Sequence, residues 1–211
     1  MKILVLGGTG GTGRAIVREA HTNGHEVVVL ARSSKKAAPL RDTATIVPGD
    51  ALDPVTVTIA LSGCDGVISA LGPTRLSPLK EVTLLSGSTR VLVEAMQAQG
   101  VRRLVAITGM GAGDSRGHGG FLYDRLFQPL LLGPIYKDKD RQEALIRASG
   151  LDWTILRPSV LTDGPATRTV RALTDLHSFH GGKVSRADVA RFAVTELERM
   201  DWKEKAPIIS Q

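Results

Sequence analysis

The sequence predicts an α/β protein, a single doubly wound domain with a mostly parallel sheet over residues 1–211. Three observations carry that expectation. Apolar, β-branched runs alternate with helical patterns from end to end; a glycine cluster, Gly7-Gly8-Thr9-Gly10-Gly11-Thr12-Gly13, separates the first run from the first helical pattern; and 42% hydrophobic with 23% charged residues is a composition that folds as a globular domain. Repeated strand–helix units imply right-handed crossovers, with helices covering both sheet faces.

Taken in order, Lys2 to Leu6 is a buried strand, and Gly13 to Asn23 a helix whose apolar face is Ala15, Ile16, Val17 and Ala20. Asn23-Gly24 closes it. Glu26 to Ala31 and Ala44 to Val47 are the second and third strands, Pro54 to Leu61 a short helix, and Gly66 to Ser69 the fourth strand. A long amphipathic helix runs from Lys80 to Gln99 and stops at Gly100. Arg103 to Thr108 is the fifth strand, Lys137 to Ser149 a helix, and Trp153 to Leu156 the sixth strand. Thr169 to Leu173 is a candidate strand, Arg186 to Arg199 a helix, and Pro207 to Ser210 the last strand.

In such sheets ligands bind beyond the strand C-termini, so the strand ends carry the functional reading. After the first strand, a glycine turn leads into a helix N-terminus, where outward backbone N–H groups and the helix dipole favour an anion. Two registers fit, Gly8-x-Gly10-x-x-Gly13 and Gly7-x-x-Gly10-x-x-Gly13, and either lets backbone approach a pyrophosphate. A nucleoside-triphosphate loop is excluded, because Arg14-Ala15 stands where Lys-Ser/Thr would be required. A tight turn that binds nothing is the competing reading.

The second strand ends in Arg32-Ser33-Ser34-Lys35. A dinucleotide would place its adenosine ribose there; a carboxylate would select the free 2′-hydroxyl, whereas an arginine fork matches a 2′-phosphate. The residues therefore favour NADP(H) over NAD(H). Asp50, in Pro48-Gly49-Asp50-Ala51, either accepts from an adenine amine or caps the next helix, and Asp53 before Pro54 is the better cap. Ser69-Ala70-Leu71-Gly72 offers small residues for close backbone approach, and Thr108 puts a hydroxyl at the end of the fifth strand.

These motifs, with Ser149-Gly150-Leu151-Asp152-Trp153-Thr154-Ile155-Leu156-Arg157-Pro158 and Val184-Ser185-Arg186-Ala187-Asp188-Val189-Ala190, resemble an atypical short-chain dehydrogenase/reductase with a Rossmann-like fold. More narrowly, the chain is similar to the NAD(P)H-binding, NmrA-like group that includes the biliverdin reductase B and flavin reductase proteins. The resemblance implies pyrophosphate contacts from Gly7, Thr9, Gly10, Gly11 and Thr12, and 2′-phosphate contacts from Arg32, Ser33 and Lys35. It implies Asp50 and Ala51 near adenine, Ala70, Leu71 and Gly72 along the ribose, and Pro158, Ser159 and Val160 near the nicotinamide. Arg75 resembles an arginine that flavin-reducing relatives carry beside the substrate.

The chain departs from the family where the chemistry sits. The usual Tyr-x-x-x-Lys pair is missing: Tyr123 is followed four residues on by Phe127, and Tyr136 by Asp140. Lys139 is left as a lysine-like contact, and with Thr108 and Arg75 it completes the candidate catalytic set. Gly109 follows Thr108 where biliverdin reductase B-like proteins carry serine, and Glu143 stands where they carry histidine; Glu143 either orients a ligand or pairs with Arg147 at i,i+4, and the pair is favoured. Hydride transfer to a flavin needs mainly aligned rings and tolerates a missing acid better than carbonyl reduction does. The reading is thus a reductase with a flavin or quinone-like acceptor, against a non-catalytic NADP(H)-sensing regulator or a nucleotide-sugar epimerase/dehydratase. Gly109 to Gly120, followed by Phe121 to Phe127, reads either as a lid over the substrate or as a surface loop leading into a packed helix or a dimer contact.

Other classes fare worse. The net charge of +6 is scattered and aromatics are only 4%, which argues against nucleic acid; Arg32 to Lys36, Arg102-Arg103 and Arg168/Arg171 read as solvated surface or anion contacts. A single cysteine, Cys64, excludes an internal disulfide and suits a reducing cytoplasm. No signal peptide is read at the N-terminus, and the longest apolar stretch, Leu126 to Ile135, is interrupted by Gln128, Pro129 and Pro134. His21 and His25 are separated by a helix break, and His177 and His180 lack partner ligands, so no metal is expected. The expected partner is a small-molecule substrate, with the chain a monomer or homodimer.

Overall fold

The computed structural model describes residues 1–72, 82–115, 133–167, 169–177, 179 and 181–211. Arg75, the segment Phe121 to Phe127, Arg168 and His180 lie outside them. In chain order the elements are β1 (Lys2–Leu6), α1 (Gly11–Thr22), β2 (Glu26–Ala31), α2 (Ser34–Ala37), β3 (Thr45–Pro48), α3 (Pro54–Leu61), β4 (Gly66–Ser69) and α4 (Leu84–Gln99). Then follow β5 (Arg103–Ile107), α5 (Gly133–Arg147), β6 (Asp152–Pro158), β7 (Val160–Thr162), β8 (Arg171–Leu173), β9 (Lys183–Ser185), α6 (Arg186–Arg199) and β10 (Ile208–Ser210).

The main sheet has the order β3-β2-β1-β4-β5-β6-β10-β8. It is parallel except at the β8 edge, where Arg171–Leu173 runs antiparallel to β10. Strand order reverses between β1 and β4, which places the crevice for a ligand between their C-terminal ends. This is a Rossmann-type α/β domain, as the alternating pattern predicts.

Each interior strand is apolar on both faces because helices cover both. Ile3, Val5, Val27, Val29 and Val105 pack on α1 and α6 through Ile16, Val17, Ala190 and Val194. Leu4, Leu6, Val28, Val67 and Leu104 point the other way, onto Val57 and Leu61 of α3 and Leu92 and Met96 of α4. Successive residues of one strand thus belong to opposite cores.

Several boundaries differ from the sequence expectation. Helix α1 starts two residues early because Gly10, extended at φ −81°, ψ 171°, is its N-cap. Helix α5 starts a turn earlier than Lys137, at Gly133-Pro134, where a missing proline N–H costs nothing. Short β7 and β9 pair in parallel as a separate two-stranded ribbon that no local pattern announces.

Arg103 is a correction: it is buried, not solvated surface. Its Nη2 donates to Glu196 Oε1 at 2.8 Å, and Thr154 Oγ1 donates to the same oxygen at 2.8 Å. Burial pulls the guanidinium below its usual value while Glu196 opposes the shift. Arg102 faces outward and pairs with Asp152 at 3.2 Å. Cys64 is a buried free thiol whose desolvation pushes its pKa up to about 11, which makes it inert as a nucleophile. Among the described residues, no helix is long and apolar enough to cross a membrane, and no group of three or more metal-ligating side chains gathers.

Candidate functional site

The crevice at the strand reversal is a cleft of about 540 Å³. Its floor is the glycine turn. Gly7 has φ +77°, and a Cβ there would stand 2.5 Å from the Ala70 carbonyl oxygen across the β1–β4 gap. At Gly13 a Cβ would stand 2.1 Å from Gly7 O, because α1 is pressed directly onto the turn. Both contacts are backbone to backbone, so neither position admits a side chain. Gly8 is limited by side chains instead, with a Cβ 2.8 Å from a Val29 methyl and 3.5 Å from a Val17 methyl. The backbone itself thus forbids a side chain at Gly7 and Gly13, and both glycine registers share Gly10 and Gly13.

Helix α1 has no side-chain cap and no acidic residue in its first turn. Its N–H groups therefore open onto the cleft with the positive end of the dipole behind them. A cradle closed to side chains, with the Gly10 N–H closing the turn onto Gly7 O at 3.0 Å and the N–H groups that follow it at the helix start, fits a diphosphate, and the groups lining the rest of the cleft fit an adenosine and its ribose. Gly7, Thr9, Gly10, Gly11, Thr12, Arg32, Asp50, Ala51, Ala70, Leu71 and Gly72, all candidate cofactor contacts in the sequence, line this one cleft.

Two of the expected 2′-phosphate contacts do not reach the cleft. Ser33 is the N-cap of α2, and its hydroxyl accepts from Lys36 N at 3.3 Å. That single turn rotates Lys35 away and brings Lys36 to the cleft wall beside Arg32. The basic side chains at this end of the cleft are Arg32 and Lys36, where the sequence expectation has Arg32, Ser33 and Lys35. Asp50 approaches Arg32 to 3.9 Å, and its Oδ1 accepts from Leu52 N at 3.0 Å. Capping of α3 falls to Asp53, whose Oδ1 accepts from Val55 N.

A second, smaller pocket of about 200 Å³ opens next to the first, and Leu161 of β7 lines both. Its walls are Ile107, Thr108, Gly109, Met110, Tyr136, Lys139, Pro158, Ser159 and Val160. Thr108, Pro158, Ser159 and Val160 thus gather at one place, along with Lys139 from α5. Arg75 lies outside the described residues.

The polar groups of this pocket are bound in a specific way. Thr108 Oγ1 donates to Glu143 Oε1 at 2.8 Å, so its proton points into the protein and not into the pocket. Lys139 Nζ donates to the Thr108 carbonyl at 2.7 Å and lies 5.0 Å from the Tyr136 ring centre. Tyr136 donates its phenolic proton to Met110 O at 2.8 Å. Burial lowers the Lys139 pKa to about 8, with the Glu143 carboxylate opposing the shift.

The expected helical pair of Glu143 with Arg147 is present but long, and a second arginine holds the carboxylate more closely. Arg147 stands 3.9 Å away and 42% exposed, whereas Arg157 of β6 is buried and grips both carboxylate oxygens through Nε and Nη2. The signal for this was an arginine inside an otherwise apolar strand, which demands a buried partner. The first part of the expected lid is also packed: Met110, Ala112 and Ser115 are buried, and Met110 N donates to Pro158 O at 3.0 Å. The remaining residues of that segment, 116–132, lie outside the described ones.

A family model described as NAD(P)H-binding matches residues 7–199 of this chain. Among curated proteins, the chain is 31% identical over 207 residues to the photosystem II assembly factor Ycf39 of Synechocystis, covering 94% of this chain and 59% of that protein. The chain therefore spans about three fifths of the Ycf39 relative it matches. It is 26% identical to an uncharacterized sugar epimerase, YhfK, of Bacillus subtilis, covering 98% of this chain and 92% of that one. Among solved structures, ChuY, an anaerobilin reductase of Escherichia coli O157:H7, superposes with a TM-score of 0.81 at 24% identity. That match covers 100% of this chain and 97% of ChuY, and at this identity it speaks to the fold alone.

Proposed function

The chain belongs to the NAD(P)H-binding family, and from that premise we propose that it is a reductase that prefers NADP(H) and reduces a flavin or quinone-like acceptor. The observation that carries this reading is the junction of the two cavities at Leu161. A dinucleotide whose diphosphate lies on the α1 N-terminus and whose ribose meets Arg32 extends from the larger cleft towards the smaller pocket. When bound, the nicotinamide supplies a hydride there.

The chain's own groups do the rest. Met110, Pro158, Val160 and Leu161 give the pocket apolar walls against which a flat acceptor can align. Lys139 is the cation beside it, held in place by the Thr108 carbonyl. With a pKa near 8 it is largely an ammonium at neutral pH, suited to donating a hydrogen bond to an oxygen or nitrogen that gains negative charge. Thr108 acts through its backbone, because its hydroxyl proton is committed to Glu143. The preference for NADP(H) rests on Arg32 and Lys36. Asp50 offsets Arg32 only weakly, since both side chains of that 3.9 Å pair are substantially exposed.

A second reading, a non-catalytic NADP(H) sensor, is favoured by one observation. The hydroxyls of Thr108 and Tyr136 both donate inward, so no hydroxyl proton of theirs is offered to an acceptor. Following NADPH oxidation with a panel of flavins, quinones, aldehydes and nucleotide sugars separates the readings. The reductase reading expects turnover with a flavin or quinone. Tight NADPH binding with no turnover of any acceptor moves the assignment to the sensor. Conversion of a nucleotide sugar alone moves it to an epimerase, as the Bacillus subtilis relative YhfK is named.

A further inference from the structure

Arg186, the first residue of α6, reaches across to the glycine turn. A Cβ added to Gly11 would stand 2.9 Å from Arg186 Nε, so the side chain lies directly against the first turn of α1. Arg186 lines the larger cleft with Gly10, Gly11 and Thr12, whereas the other two cations lining that cleft, Arg32 and Lys36, follow the end of β2. Its Nη1 donates to Asp163 Oδ1 at 2.7 Å, and the Asp163 side chain is 89% exposed. The guanidinium is thus held over the cradle by a carboxylate that sits almost wholly in water.

We propose that Arg186 is a ligand of the dinucleotide's diphosphate, kept poised by Asp163 until the cofactor arrives. The inference rests on the dinucleotide reading of the cleft and adds a residue to it. The α1 N-terminus offers backbone donors but no cation, and a diphosphate brings two negative charges to it. Arg186 supplies the missing countercharge from the opposite wall, with a planar fork suited to phosphate oxygens. Its present partner is weak, because a pair with one member so exposed is screened by water, so exchanging Asp163 for a diphosphate is cheap. The exchange also releases Asp163 from α6. Asp163 directly follows β7, whose Val160 and Leu161 line the smaller pocket, so cofactor binding is linked to the wall of the acceptor site.

The roles of the cleft cations differ in a measurable way. NADPH and NADH share the diphosphate and differ in the 2′-phosphate. Replacing Arg186 by Met is expected to raise Kd for both by the same factor, roughly tenfold for a lost charge-assisted contact. ADP, which has the diphosphate and no nicotinamide, loses the same factor. R32E, in contrast, weakens NADPH selectively. R186K, which keeps the charge and loses the fork, falls between wild type and R186M, and serves if R186M does not fold. D163N, which leaves Arg186 in place without its competitor, binds both nucleotides more tightly, by about twofold to threefold. Unchanged affinities in R186M, a loss confined to NADPH, or a D163N defect as large as that of R186M each overturn the proposal. If the wild-type protein binds neither nucleotide, the dinucleotide reading itself falls, and that outcome is distinct from any of these.

Discussion

Replacing Glu143 by Gln tests the buried centre that holds the smaller pocket together. The carboxylate accepts from Thr108 Oγ1 at 2.8 Å and from Arg157 Nε at 3.0 Å through Oε1, and from Arg157 Nη2 through Oε2. Both side chains of the ion pair are almost fully enclosed, at 3% and 2% exposed. Glutamine keeps the volume and one acceptor, but it turns an amide N–H₂ onto Arg157 Nη2 and leaves a buried guanidinium uncompensated. Breaking one side of such a pair costs about 3–5 kcal/mol. At about 2–4 °C per kcal/mol for a chain of this size, the melting temperature should fall by roughly 6–20 °C. Thermal and urea unfolding read this directly. The double variant E143L/R157M, with both charges removed, should recover most of the loss. A single variant melting within about 2 °C of wild type would refute the reasoning.

The same substitution has a catalytic signature. Glu143 is the group that raises the Lys139 pKa against burial. In wild type the ammonium, and with it the proposed hydrogen bond to the acceptor, is lost as pH rises through about 8. Without the Glu143 charge the alkaline limb of the rate profile moves to lower pH. The stability sign is opposite: the native lysine releases its proton below the usual 10.5, so the unfolded chain binds more protons between about 8 and 10.5. This group therefore makes folding more favourable as pH rises through that window, and K139M removes the dependence.

Two further outcomes follow from the cleft. R32E should raise Kd for NADPH by about 30-fold or more while leaving NADH within about threefold, measured by fluorescence titration; equal losses for both nucleotides would end the 2′-phosphate assignment. G13A drives a methyl into Gly7 O from a starting separation of 2.1 Å and must push α1 off the turn. It should abolish binding of both nucleotides and lower the unfolding midpoint, whereas unaltered binding would contradict the tight helix–turn contact.

The sheet was legible because its strands are continuous apolar runs, Ile3 to Leu6, Val27 to Ala31 and Leu104 to Ile107, punctuated by glycine or small polar residues. Burial on both faces removes the alternation that would leave a strand ambiguous with a surface segment. Three-residue β7 and β9 were not legible, since their pairing joins Val160 to Lys183 across a stretch with no periodicity of its own. Most residues that line the larger cleft were readable from the strand ends, but Lys36 beside Arg32 was not. One turn of α2, started by the Ser33 cap, substitutes Lys36 for Lys35. Arg103, Glu143 and Arg186 were misjudged or missed for a common reason. Each acts through a partner distant in sequence: Glu196, Arg157, and the Gly11 turn with Asp163. A charged side chain's exposure is set by its tertiary partner, which spacing along the chain does not encode.

The central claim is that one dinucleotide joins the two cavities, and a crystal structure of the protein grown with NADPH tests it most directly. The diphosphate is expected on the N–H groups of Gly11 and Thr12, the 2′-phosphate on Arg32 and Lys36, and the nicotinamide past Leu161 against Thr108 and Lys139. A nicotinamide directed away from the smaller pocket, or a cofactor seated elsewhere than the glycine turn, would contradict it.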